Sequence, residues 1–161
     1  MRPLLALAAA LALAAPGRPA VFIVRHAEKD LHVKDDPPLT KEGRGRAEEL
    51  ARVLRSVALK AVYVTQYART RQTARPTADE FKLAPIQLKA GDNDTLVNAL
   101  RARPQDDVLV VGHSDTIPGL LGSLGVADGP KDELPARDYD NLFVVDLASA
   151  SAKLHWLHYG R

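Results

Sequence analysis

The chain has 161 residues, 46% hydrophobic and 26% charged, with 22 Lys and Arg against 20 Asp and Glu for a formal net charge of +2. That length sets one domain around one substantial core as the expectation, and the composition excludes a disordered chain. Charge this evenly balanced and dispersed argues against nucleic acid as the partner, and the absence of cysteine excludes disulfides, thiolate sites and a lipidated cysteine.

In chain order, Met1-Arg2-Pro3 precedes Leu4 to Ala15, which holds only Leu and Ala and offers Ala12-Leu13-Ala14 as a signal-peptidase site. A short positive start, an apolar stretch and an Ala-x-Ala site form the secretory signal pattern. Residues 1–19 are therefore expected to be a leader removed on export to the periplasm or the medium, with 20–161 as the single domain. The run is short of the ~20 residues that span a bilayer, so no stable membrane insertion is expected after cleavage. An apolar first helix of the domain is the alternative; the lack of a polar face and the following Pro16-Gly17 weigh against it.

Ala20–Val24 is an uninterrupted apolar, β-rich run, the pattern of a strand buried on both faces of a mainly parallel sheet. A polar loop, Glu28 to Pro38, leads to Thr40, placed to cap a helix from about Lys41 to Arg55. Leu50, Val53, Leu54 and Val57 recur there at helical spacing, with Glu42, Glu48 and Glu49 toward its start. Ala61–Thr65 reads as a second buried strand. A helix from about Thr70 to Phe81 follows, disturbed at Pro76. Ile86–Leu88 reads as a short strand, Gly91-Asp92-Asn93-Asp94 as a turn, Thr95–Ala102 as a helix and Val108–Val111 as a third strongly apolar strand. Gly112-His113-Ser114 then turns into a helix ending near Leu124. Leu142–Leu147 and Lys153–His158 read as two edge-region strands joined at Ala148–Ser151. Strands alternating with helices predict an α/β three-layer sandwich, a mainly parallel central sheet with helices on both faces.

Three buried strands each end in a cationic or ionisable residue: Arg25-His26, Arg69 and His113. Ligands of open α/β sheets bind outside the carboxyl ends of the strands, so the topology would gather these four residues. Together they supply what phosphoryl transfer requires. A neutral imidazole attacks phosphorus and splits one hard displacement into two, while forked guanidinium donors neutralise the equatorial oxygens. Each residue alone has a plainer reading, as a sheet-edge polar group, a helix cap or turn chemistry; their joint occurrence at strand ends favours a site.

The chain also resembles the histidine phosphatase superfamily, which includes phosphoglycerate mutases and phosphohistidine phosphatases. Arg25-His26-Ala27 is similar to its Arg-His-Gly signature, and Pro38-Leu39-Thr40-Lys41-Glu42-Gly43 to its Pro-Leu-Thr-x-x-Gly element. Arg69-Thr70-Arg71-Gln72-Thr73-Ala74 resembles its Arg-Thr-x-Gln-Thr-Ala segment, and Val111-Gly112-His113-Ser114 the segment of its second histidine. The resemblance implies a phosphoglycerate mutase-like fold, His26 as nucleophile, and Arg25, Arg69 and His113 as the phosphate pocket. Ala27 replaces the usual Gly, which suits a negative φ. The Glu that protonates the leaving group in mutase-like members has no counterpart in Lys89–Asp94. Asp92 is the first candidate for that role, with Asp94 and Asp115 behind it, although all three also suit turns or caps.

Lys29 and Lys34 could draw an anionic substrate to the entrance, or be solvated loop residues. His155 and His158, three apart on a strand, face opposite sides and read as structural or exposed, and His32 has no evident partner. No cysteine or close His/carboxylate set points to a metal, and no cofactor is expected. The expected activity is metal-independent hydrolysis of a phosphomonoester or phosphoramidate through a phosphohistidine, on a small phosphorylated substrate or a phosphoprotein. The alternative is a noncatalytic phosphate- or phosphosugar-binding module on the same fold. The compact chain favours hydrolysis over mutase chemistry, and oligomeric state is not legible. Substrate choice is expected from the loops Glu28–Pro38, Lys89–Asp94 and Val126–Tyr139.

Overall fold

A computed structural model describes residues 19–147 and 151–160. Six strands, β1 (Ala20–Arg25), β2 (Leu59–Thr65), β3 (Ile86–Leu88), β4 (Asp107–Gly112), β5 (Asn141–Asp146) and β6 (Lys153–His158), form one sheet in the order β3-β2-β4-β1-β5-β6. The first four run parallel; β5 is antiparallel to β1, and β6 to β5. Four helices, α1 (Lys41–Leu54), α2 (Ala68–Phe81), α3 (Asn93–Arg101) and α4 (Ile117–Ser123), flank it.

The near-continuous apolar strands have a direct cause. Val21 and Ile23 of β1, with Val108 and Val110 of β4, face a core shared with Val97 and Leu100 of α3 and Ile117 and Leu121 of α4. Phe22 and Val24, with Leu109 and Val111, face the opposite core, shared with Leu50 and Leu54 of α1 and Ala74 and Ala78 of α2. Successive side chains of a strand point to opposite faces, so a strand between two helical layers must be apolar at every position. This is the expected three-layer sandwich.

Several boundaries differ from expectation for local reasons. α2 begins at Ala68 and runs unbroken past Pro76, where a disturbance was expected; its buried face, Thr70, Thr73, Ala74, Thr77 and Ala78, is anchored along the sheet on both sides of the proline. Lys82, at φ 54, ends it in a left-handed cap, with Leu83 N donating to Ala78 O at 2.9 Å. α3 starts at Asn93 rather than Thr95, because Asp92 accepts from Thr95 N. α4 starts only at Ile117. β5 lies inside the sheet, and β6 alone is the edge at that side. The expected leader, but for residue 19, and positions 148–150 of the expected last turn lie outside the described residues. No described helix is long and apolar enough to cross a membrane.

Candidate active site

His26 follows the last residue of β1, and its backbone N–H donates to Gly112 O at 2.9 Å, prolonging the β1–β4 pairing by one step. The next N–H, of Ala27, donates to Thr73 Oγ1 at 2.9 Å. Ala27 is fully buried, packed with Leu39 and Ala47. It is not among the residues with positive φ, so an L side chain fits where the family signature has Gly. His26 Nδ1 lies 2.8 Å from Ala27 O. A carbonyl only accepts, so Nδ1 carries the hydrogen and Nε2 is left with its lone pair. Burial first, then the positive surroundings of His113, Arg25 and Arg69, lowers the His26 pKa from 6.5 to about 3, against the pull of the Ala27 bond. The imidazole is therefore neutral at neutral pH.

Arg25 is buried at the same strand end. Its Nη1 donates to Pro135 O at 3.0 Å and Ala136 O at 3.1 Å, and its guanidinium stacks 4.1 Å from the Tyr139 ring centroid. Arg69, in the first turn of α2, stacks 4.2 Å over Tyr67 and brings Nη2 to 3.5 Å from His113 Nδ1. The Nε atoms of both arginines are buried without a hydrogen-bond partner. His113 follows β4, its ring centroid 5.4 Å from that of His26. Burial first, then Arg69, lowers the His113 pKa from 6.5 to about 4; Asp115 pulls it up, and Lys29 and Arg25 push it down. The four residues expected to converge do so.

The flanking motifs are the scaffold of this cluster. Thr40 caps α1, its hydroxyl accepting from Gly43 N at 3.0 Å, while Thr40 N donates to Glu28 O at 2.9 Å. Gly43 itself is obligatory, since a Cβ there would lie 2.3 Å from Glu28 O. Gln72 Oε1 accepts from Leu39 N at 2.7 Å and Thr73 Oγ1 from Ala27 N, so α2 clamps both the loop after His26 and the loop entering α1. Asp36, at φ 46, accepts from Ala68 N at 2.7 Å and stands 3.9 Å from both Arg69 and Arg71. Lys29 is paired through a β-bridge to Leu39 and lies within electrostatic reach of His113.

Asp92 is exposed, and its carboxylate caps α3 through Thr95 N at 3.1 Å. Asp94 is exposed in the first turn of that helix. Asp115 is the candidate whose charge reaches His113. His155 is exposed on β6, and His158 sits 3.4 Å from Asp140. Among the described residues no group of three or more His, Cys, Asp or Glu is arranged to hold a metal ion.

Sequence reasoning missed Tyr139, Thr65 and Glu133. Tyr139 ends the loop already suspected of covering the pocket, and an aromatic just before a strand was its available signal. Thr65 Oγ1 sits 2.9 Å from His113 Nε2, and Ser114 Oγ donates to Glu133 Oε1 at 2.8 Å. Neither contact has a signature at sequence level.

The sequence model of the histidine phosphatase superfamily (branch 1) matches residues 21–91, from β1 to the turn before α3. No curated protein matches the chain by sequence. Among solved structures, the chain is similar to SixA from Nakamurella multipartitia, with TM-score 0.68, 28% identity and coverage of 90% of this chain and 98% of that one. It is similar to the protein histidine phosphatase SixA complexed with tungstate, with TM-score 0.68, 23% identity and coverage of 87% and 96%. A mycobacterial glucosyl-3-phosphoglycerate phosphatase shares the fold at TM-score 0.65 and 15% identity, with coverage of 89% and 100%. Over residues 21–91 the chain thus matches the histidine phosphatase superfamily, and its fold is similar to that of the solved SixA structures.

Proposed function

We propose that this protein is a phosphatase that hydrolyses a phosphomonoester or phosphoramidate through a covalent phosphohistidine at His26. The observation that carries the reading is the fixed tautomer of His26, whose Nδ1–H is tied to Ala27 O and whose Nε2 is free to attack. In the first step Nε2 forms a bond to phosphorus as the bond to the leaving oxygen or nitrogen breaks. Water then displaces the imidazole and releases inorganic phosphate. Arg25 and Arg69 meet the equatorial oxygens with guanidinium N–H donors, beside His113, which Arg69 Nη2 approaches to 3.5 Å. Lys29, whose charge reaches His113, adds to the attraction for an anionic substrate.

The leaving group takes its proton from a carboxylate at the rim. Asp115 is preferred over Asp92 because its charge reaches His113, whereas the Asp92 carboxylate is engaged in the α3 cap. On an alkyl phosphate, Asp115→Asn should lower kcat by ~100-fold or more, with little effect on an aryl phosphate. The reverse order for Asp92→Asn and Asp115→Asn would return the role to Asp92.

The substrate relatives named above include a protein histidine phosphatase and a phosphosugar phosphatase. Both names imply a substrate with a phosphoryl group, the group for which Arg25, Arg69 and His113 would supply the donors. Assaying phosphohistidine peptides beside phosphosugars on the wild type and His26→Ala separates the substrates. Turnover surviving in His26→Ala would overturn the proposal. Export is part of the same reading and rests on residues 1–19; an intact Met1 on protein recovered outside the cytoplasm would contradict it.

A further inference from the structure

His113 has two ring nitrogens in different surroundings, and its neighbours decide which one carries the hydrogen. Nε2 is 2.9 Å from Thr65 Oγ1, and Nδ1 is 3.5 Å from Arg69 Nη2. A guanidinium donates and never accepts, so Nδ1 must be the lone-pair side. The hydroxyls on the other side require the same answer. Thr70 Oγ1 lies 2.9 Å from Tyr67 O and 3.1 Å from Thr65 O, both pure acceptors, so its single hydrogen points to them. It accepts from Thr65 N at 3.1 Å. The 3.0 Å contact between the two hydroxyls must then run from Thr65 to Thr70. Thr65 Oγ1, having spent its hydrogen, can only accept from His113 Nε2. Both hydroxyls are saturated by this one direction, and reversing it would set lone pairs against carbonyls and Nδ1–H against Arg69.

We propose that Thr65, through its relay to Thr70, is the positioning residue that fixes His113 as the Nε2–H tautomer, so that the phosphoryl group is bound together with one proton taken up at His113 Nδ1. A bare Nδ1 lone pair would repel a phosphate oxygen; with the proton added, the same atom donates to it. The dianion binds and the proton comes from solvent, and no bond between heavy atoms changes. The groups facing His113 set this balance from several elements. Arg69 of α2, Arg25 and His26 at the end of β1, and Lys29 of the following loop surround it, with Asp115 before α4 as the counter-charge and the Tyr67 ring 5.4 Å away. Before phosphate binds they keep His113 neutral; a bound dianion reverses the balance. Thr65 is what holds the incoming proton at the pocket side, because Nε2 already has its own.

The inference rests on His113 serving the phosphate pocket proposed above, but the tautomer can be read without turnover. Nitrogen NMR of the imidazoles in the free protein should show His113 protonated at Nε2 and bare at Nδ1, unchanged in Thr65→Ser and altered in Thr65→Val. Calorimetric titration with inorganic phosphate at about pH 8.5, where the free ligand is almost wholly the dianion, in buffers of different ionisation heat, should show uptake of about one proton per phosphate by the wild type. Thr65→Val should bind phosphate about tenfold more weakly, because Nε2–H is left buried without an acceptor, and Thr65→Ser should restore binding. An Nδ1–H imidazole in the free protein, phosphate binding without proton uptake, or wild-type affinity in folded Thr65→Val would each overturn the proposal. An Nε2–H imidazole in a protein that binds no phosphate would sink the phosphatase reading instead.

Discussion

His26 and His113 are held neutral by burial among cations, and this has consequences for both activity and stability. Because the His26 pKa falls to about 3 in the folded protein, the proposed nucleophile needs no deprotonation near neutrality. The acid limb of the kcat/KM profile should therefore lie well below the ordinary histidine value of 6.5. For stability, a histidine with a depressed folded pKa binds fewer protons when folded than when unfolded. Its contribution is complete above 6.5 and is lost as pH falls toward about 3 for His26 and about 4 for His113. Thermal unfolding between pH 7 and 4 should show a falling Tm, and His26→Gln should flatten that slope; an unchanged slope would mean that the imidazole is not held neutral. Arg25 is fixed differently, by two carbonyls and an aromatic face. A lysine cannot reproduce that fork and stack, so Arg25→Lys should lower kcat/KM by ~10-fold or more, measured on an aryl phosphate.

At the scale of elements, the motifs act mainly by holding backbone in place. Gly43→Ala would drive a methyl group into the Glu28 carbonyl, two residues past the nucleophile. Overpacking against backbone should cost about 3 kcal/mol, read as a lower midpoint in denaturant, and activity should fall with it. Thr73→Val would leave the buried Ala27 N–H without its acceptor, a loss of ~1–3 kcal/mol. The buried strands were legible because each lies between two helical layers and has no polar face to mislead. α1 was legible from Thr40, which does cap it. The start of α3 was misplaced because Asp92, taken first as a candidate acid, is the cap. The unbroken passage of α2 through Pro76 was not legible, since tertiary anchoring of its buried threonines and alanines outweighs the local penalty.

Across the whole molecule, the end of the chain is tied to the nucleophile loop. Arg46 of α1 pairs with Glu28 at 2.6 Å, both side chains only 13% exposed, and donates to Tyr159 O and Gly160 O at 3.3 Å. Arg46→Ala would leave the Glu28 charge half of a broken pair, at a cost of ~3 kcal/mol, and should lower the Tm. The four polar residues at the centre of the site could be picked out because each lies at a strand end or within a few residues beyond it, and topology alone brings strand ends together. Thr65, Tyr139 and Glu133 could not, because their roles come from side-chain contacts across separate elements, such as the 15-residue loop 126–140 folding back over Arg25. The account depends most on His26 becoming phosphorylated. Rapid quenching of the enzyme with a radiolabelled aryl phosphate should trap an acid-labile, alkali-stable label that is absent from His26→Ala. Hydrolysis by the wild type without such a label, or a label that persists in His26→Ala, would contradict it.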